Sequence, residues 1–166
     1  MLLKTVRIAC LFLLTMTLVG CTDKEDKYDD SYIRLHKDGS VTEYIEEDFD
    51  EDIYSKDDLV KMIETEMNAY NKRFPEKRIG LKSCKVSDDE IKVKMEYKSV
   101  QDYASFNGVE LFVSPSETDN TKTLTMGFPY DVYIDGKIIS YSDGIRMIDK
   151  HRLSMDDVDS GYIIYE

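Results

Sequence analysis

The sequence contains no tryptophan and only three cysteines among 166 residues. Three cysteines leave little for a disulfide framework, so a hydrophobic core must hold the fold together. Positive charge is also scarce, because 22 Lys and Arg stand against 34 Asp and Glu, a formal net charge of −12. Nucleic acids select surfaces rich in Lys and Arg, so this balance argues against nucleic acid as a partner.

A long apolar run is also missing. The apolar stretch from Ile8 to Val19 spans about 12 residues, which suits a secretory signal peptide, whereas a membrane-spanning helix needs roughly 20. Lys4 and Arg7 precede this stretch, and the first acidic residue is Asp23. We therefore predict a signal peptide over residues 1–20.

The apolar run ends in Leu18-Val19-Gly20-Cys21. This motif resembles the lipobox of bacterial lipoproteins, with an aliphatic residue three positions before an obligatory cysteine and a small residue directly before it. The resemblance implies cleavage between Gly20 and Cys21 and acylation of Cys21 with lipid chains such as palmitate. It places the protein on the extracytoplasmic side of the cell membrane, with the bilayer as a partner. An ordinary signal peptide cleaved nearby and a short uncleaved anchor are the alternatives.

Removal of residues 1–20 would take Lys4, Arg7 and Cys10 with it, which makes the formal charge two units more negative. With Cys21 acylated, Cys84 would be the one thiol left, and no intramolecular disulfide could form. Residues 21–31 are charged and predict a tether that holds the domain roughly 15–20 Å from the lipid. The acidic domain should be repelled by an anionic membrane surface.

Residues 32–166 predict a single domain of the α+β class, a mostly antiparallel sheet with one principal amphipathic helix and a second short helix. Lys37-Asp38-Gly39-Ser40 predicts a hairpin whose three-residue loop pairs Leu35 with Val41 and places Gly39 in the left-handed conformation. Asp135-Gly136 predicts a further hairpin, between strands at Asp131–Ile134 and Lys137–Tyr141.

The principal helix is predicted from Ser55, its N-cap, to about Asn71, since Pro75 prevents continuation. Its predicted core residues recur at helical spacing: Leu59, Met62, Ile63, Met67 and Tyr70. The second helix should follow Ser99 and end at Asn107-Gly108. A hairpin across Ser87-Asp88-Asp89-Glu90 is predicted between the helices.

The acidic run from Glu46 to Asp52 has part of the pattern of a calcium-binding loop. Asp48, Asp50 and Asp52 match the first, third and fifth positions of an EF-hand, but Ile53 stands where glycine is required and Leu59 where a bidentate Glu is required. A solvated turn is therefore favoured, with a weak cation site of another kind left open.

The sequence contains no motif typical of zinc binding or of nucleophilic catalysis. His36, His151 and Cys84 are not at zinc-ligand spacings, and no nucleophile or phosphate-loop motif is present. Cys84 lies in a strand-like stretch and is interpreted as a small hydrophobic residue. We predict no metal, no cofactor and no catalytic residue, and an enzyme is disfavoured.

Two stretches, Asp102–Asn107 and Gly136–Ser142, and the hairpin at Lys37–Ser40 resemble a group of small uncharacterised lipoproteins of Gram-positive gut anaerobes. That resemblance implies a location and no activity. We expect a binding or accessory module for an envelope protein or an extracellular ligand, and its 12 tyrosines are candidates for a binding face. The alternative is an envelope hydrolase with an acidic or Cys84-centred site.

Overall fold

A computed structural model describes residues 31–155 and 157–166. The predicted signal peptide, the lipobox and nearly all of the tether lie outside the described residues. The described part forms eleven strands and two helices, in this order: β1 (Tyr32–Leu35), β2 (Val41–Asp48), α1 (Lys56–Asn71), β3 (Ile79–Ser87), β4 (Glu90–Tyr97), α2 (Val100–Asn107), β5 (Leu111–Pro115), β6 (Lys122–Met126), β7 (Asp131–Ile134), β8 (Ile138–Tyr141), β9 (Arg146–Met147), β10 (Arg152–Ser154) and β11 (Gly161–Tyr165).

The strands form two sheets. Seven strands pair in the order β3-β4-β2-β1-β7-β10-β9, and four pair in the order β5-β6-β11-β8. Every described ladder is antiparallel except that between β1 and β7. The predicted α+β class and its mostly antiparallel pairing are confirmed. The strands divide between two sheets, however, where the sequence indicated one.

The first hairpin has the predicted register, with Leu35 opposite Val41. His36 and Ser40 close a three-residue loop, and Gly39 adopts a φ of 86°. This left-handed conformation favours glycine because a Cβ atom there is strained. The loop therefore sets which side chains of β1 and β2 face the core.

Both helices begin at their predicted caps. The Ser55 hydroxyl accepts a hydrogen bond from the backbone of Asp58, and the Ser99 hydroxyl accepts one from the backbone of Asp102. The second helix ends at Gly108, which has a φ of 68°. A serine at the N-cap accepts a hydrogen bond from a backbone amide of the first turn that has no partner within the helix. Because few residue types can do this, N-caps can be predicted from the sequence.

Met62 does not belong to the core, and its assignment to the apolar stripe was wrong. Its side chain is 53% exposed, whereas Met67 and Tyr70 are buried and Leu59 and Ile63 are packed against the core. Successive residues in a helix are about 100° apart around its axis. Leu59, Ile63 and Met67, which are four positions apart, therefore share one side of α1, and Met62 lies to the side of that stripe.

The hairpin predicted at Asp135-Gly136 is also wrong. Strand β7 pairs with β1 and β10 in the larger sheet, whereas β8 pairs with β11 in the smaller one. The two residues carry the chain from one sheet to the other. A Cβ atom on Gly136 would lie 2.3 Å from the backbone oxygen of Glu166, so the crossing requires glycine.

A single core cluster joins the two sheets and both helices. Its fully buried members include Ile33 and Leu153 from the larger sheet and Met126 and Ile163 from the smaller one. No helix in residues 31–155 or 157–166 combines the length and the apolar character that a bilayer crossing needs.

Candidate functional site

A cleft of about 1700 Å³ lies across the seven-stranded sheet. Strand register places Thr42 beside both Arg34 and Glu96, and Arg34 beside Tyr133. Successive residues of a strand point to opposite faces, so these side chains face away from the core that Leu35 occupies. The floor of the cleft is thus the polar face of the sheet.

The residues that line the cleft carry more positive than negative charge, whereas the whole chain is strongly negative. Eight of the 22 Lys and Arg line it, against four of the 34 Asp and Glu. The basic residues are Arg34, Lys37, Lys77, Arg78, Lys82, Lys98, Lys137 and Lys150, and the acidic ones are Asp38, Glu96, Asp135 and Glu166. A strongly acidic protein therefore carries a concentrated basic surface in one concave place.

Four of these lysines form no ion pair with the described residues: Lys37, Lys77, Lys137 and Lys150. All four are exposed, and they come from four separate connections between strands and helices. Other basic groups of the cleft are paired, since Lys82 contacts Glu96 at 2.8 Å. We call these four unpaired lysines the rim lysines. They outnumber the two lining carboxylates that also form no ion pair with the described residues, Asp38 and Glu166.

A chain of hydrogen bonds crosses the floor of the cleft. Asp135 Oδ2 lies 2.8 Å from Nδ1 of His36, and His36 Nε2 lies 2.8 Å from the Thr42 hydroxyl. Arg34 donates to Asp135 Oδ1 at 2.9 Å. Burial raises the pKa of Asp135, but the hydrogen bonds from Arg34 and His36 outweigh burial and hold that pKa below its ordinary value.

Carboxylate, imidazole and hydroxyl follow one another here in the order of a hydrolase triad. Thr42 is only 4% exposed, however, and its strand is paired with β1 on one side and β4 on the other. A nucleophile needs open space for the substrate carbonyl. We therefore infer that the hydrogen bonds among Asp135, His36 and Thr42 hold the side chains of the cleft floor in place.

Tyr133 is the half-buried aromatic side chain on this floor. The Arg34 guanidinium lies 4.6 Å from its ring centroid, and the His151 ring stacks on it at 5.5 Å. The exposed tyrosines are elsewhere: Tyr54 precedes α1, and Tyr162 lies on the smaller sheet. The described structure thus gathers no exposed tyrosines in the cleft.

Cys84 lies on β3, partly buried and packed against the core, outside the cleft lining. Burial raises the pKa of its thiol, and the charge of Lys56 opposes the shift only in part. The acidic run from Glu46 to Asp52 begins in the last residues of β2 and continues into the turn that follows. Glu46 contacts Lys92 at 2.8 Å, and Phe49 is buried. Across residues 31–155 and 157–166, no three His, Cys, Asp or Glu side chains converge as a metal site.

The environment of Cys84 predicts slow alkylation. Because the thiolate is the reactive form, iodoacetamide at pH 7.5 should modify folded Cys84 severalfold more slowly than it modifies glutathione. Mass spectrometry of the proteolytic peptide that contains Cys84 measures the rate, and urea-unfolded protein is the control in which Cys84 should react faster. Alkylation of the folded protein faster than glutathione would contradict the assignment of Cys84 as a packing residue.

Sequence reasoning missed both the cleft and Glu43. Glu43 is 7% exposed between Tyr97 and Tyr103, and burial raises the pKa of its carboxyl. It lines neither this cleft nor a smaller one between α2 and β5. Alternation along β2 was a signal for Glu43, because this residue falls on the same face as Val41 and Ile45.

Comparison with protein-family models, with curated proteins and with solved structures gives no match to this chain.

Proposed function

We propose that this chain is a lipid-anchored binding module of the cell envelope, and that its cleft holds an anionic ligand. The observation that carries the proposal is the charge reversal in the cleft, which collects eight Lys and Arg on a chain of net charge −12. Charged clefts with low-dielectric walls concentrate ions of the opposite sign.

The distance over which charge acts supports binding in such a cleft. At physiological salt the Debye length is about 8 Å, so an anion inside the cleft interacts mainly with the residues that line it. The acidic groups elsewhere are largely screened from the ligand. The same acidity outside the cleft keeps the domain away from an anionic bilayer.

The anchor rests on Leu18-Val19-Gly20-Cys21, which precedes the charged residues 21–31. Acylation of Cys21 would hold the domain on the extracytoplasmic side of the membrane, at a distance of roughly 15–20 Å set by the tether. A module in this position would meet ligands of the envelope and of the surrounding medium.

The anchor is tested by Cys21→Ala. In cells labelled with an alkyne fatty acid, the unchanged protein should incorporate label and fractionate with membranes, whereas Cys21→Ala should lose the label and keep its signal peptide. The matched control is Cys10→Ala, because Cys10 lies within the predicted signal peptide. This control should be labelled and processed normally.

The anchoring proposal fails if Cys21→Ala remains labelled and is still processed. It also fails if neither the unchanged protein nor Cys10→Ala incorporates fatty acid.

A further inference from the structure

We propose that the ligand of the cleft is a linear polymer that carries repeated phosphate groups. This inference rests on the proposed function, because it names the chemical class of the anion that the cleft holds. Three features of the cleft support it: its volume, the kind of cation at its rim and the state of its aromatic side chains.

The cleft is larger than a small molecule needs. Ligand pockets for small molecules measure about 300–1,000 Å³, whereas this cleft measures about 1700 Å³. It extends across β3, β4, β2, β1 and β7 and is bounded by the connections that carry Lys37, Lys77 and Lys150. Such a surface fits an extended ligand that contacts several elements together.

The free cations of the cleft are lysines. Arg34, whose planar fork suits bidentate recognition, is already bonded to Asp135. A lysine ammonium acts as a point charge that binds phosphate from many directions. Four such charges on separate connections impose little geometry on any one anion, and they favour a flexible chain that offers a phosphate to each of them.

Among the described residues, the two tyrosines that line the cleft are not open to nucleic-acid bases. Tyr97 is 1% exposed, and the ring of Tyr133 is flanked by Arg34 and His151. Proteins that bind single-stranded nucleic acid stack bases on open aromatic rings. The expected polymer therefore binds through its phosphates and not through bases.

Titration calorimetry of the full chain in a non-ionic detergent tests the inference, with inorganic polyphosphate as the probe. The test variant replaces the four rim lysines: Lys37→Gln, Lys77→Gln, Lys137→Gln and Lys150→Gln. The control variant removes the same charge from exposed lysines outside the cleft: Lys56→Gln, Lys61→Gln, Lys72→Gln and Lys122→Gln. Both variants have the same net charge.

Polyphosphate should bind the unchanged protein, and the rim variant should lose at least about tenfold in affinity while the control variant loses less than about twofold. Four phosphate contacts also predict a slope of about −3 for log K against log salt, by analogy with single strands. The rim variant should flatten this slope. Equal losses in the two variants would overturn the assignment to the cleft.

Further probes separate this inference from the proposed function. If polyglutamate binds as tightly as polyphosphate, the cleft is an anion site but the phosphate class is wrong. If neither polymer binds, the proposed function fails as well. If micelles doped with phosphatidylglycerol displace polyphosphate at equal phosphate concentration, the ligand is a lipid headgroup and the proposal of a polymer is wrong. Tighter binding of single-stranded DNA than of polyphosphate, at equal phosphate concentration, would overturn the exclusion of bases.

Discussion

Replacement of Arg152 by alanine should lower the free energy of unfolding by about 3–5 kcal/mol. Arg152 is 5% exposed and donates to Asp131 Oδ2 through Nε at 2.9 Å and through Nη2 at 2.6 Å. Asp131 is itself buried, and its Oδ1 has no hydrogen-bond partner among residues 31–155 and 157–166. Removal of the guanidinium would leave a buried carboxylate without its counter-charge.

This loss is a large part of the stability of a domain, which is typically about 5–15 kcal/mol. It corresponds to a fall in Tm of about 10–20 °C for a domain of this size. Since the protein contains no tryptophan, far-UV circular dichroism during urea unfolding is the suitable measurement. The full chain in non-ionic detergent should be used throughout.

Two further variants distinguish a buried pair from a surface pair. Asp131→Leu combined with Arg152→Met should recover most of the loss, because apolar residues of similar size can replace a buried ion pair. Lys82→Met breaks the exposed contact with Glu96 and should cost less than about 1 kcal/mol. A cost below about 1 kcal/mol for Arg152→Ala would show that the pair adds little.

Local features of the fold could be predicted from the sequence because they depend on neighbouring residues. Gly39 determines the loop and register of the first hairpin, and Ser55 and Ser99 begin the two helices. Each of these signals acts within about four residues, through backbone conformation or a capping hydrogen bond.

Long-range pairing could not be predicted in this way. Asp135-Gly136 has the composition of a hairpin turn, yet the backbone of Asp135 donates to Leu35 and its carboxylate bonds to Arg34 and His36. These contacts join residues about a hundred positions apart in sequence. They make the dipeptide a crossing between sheets, and only the tertiary structure reveals them.

The cleft was hidden for the same reason. Its rim lysines are separated by at least 13 positions along the chain, and each one looks like an ordinary loop residue. The net charge of −12 also argued against nucleic acid as a partner and gave no sign of a basic site. Net charge averages over the whole surface, whereas binding depends on the charge within about one Debye length.

Replacement of Glu43 should change how stability depends on pH. The side chain lies on the core face of β2, opposite Ile33 on one side and Met95 on the other. Tyr97 donates to it at 2.6 Å and Tyr103 at 3.2 Å. Burial raises the pKa of Glu43, and these two hydrogen bonds oppose that shift only in part.

A raised pKa means that folding favours the protonated carboxyl. The resulting stabilisation is fully present below the ordinary pKa of 4.5 and is lost as the pH rises through the folded-state pKa. Glu43→Gln carries no titrating proton, and its amide can accept from one tyrosine and donate to the other. This variant should be more stable than the unchanged protein at pH 8, with little difference at pH 4.

Glu43→Leu distinguishes the charge from the hydrogen bonds. It removes the buried charge, but it leaves the hydroxyls of Tyr97 and Tyr103 without their acceptor, at a cost of about 2–4 kcal/mol at pH 4. Urea unfolding from pH 4 to pH 8 measures all three proteins, and Glu64→Gln on the exposed side of α1 is the control. If the stability of Glu43→Gln depends on pH in the same way as that of the unchanged protein, folding does not raise the pKa of Glu43. If Glu43→Leu costs nothing at pH 4, the two tyrosines satisfy their hydroxyls elsewhere, and the buried carboxyl does not organise this part of the core.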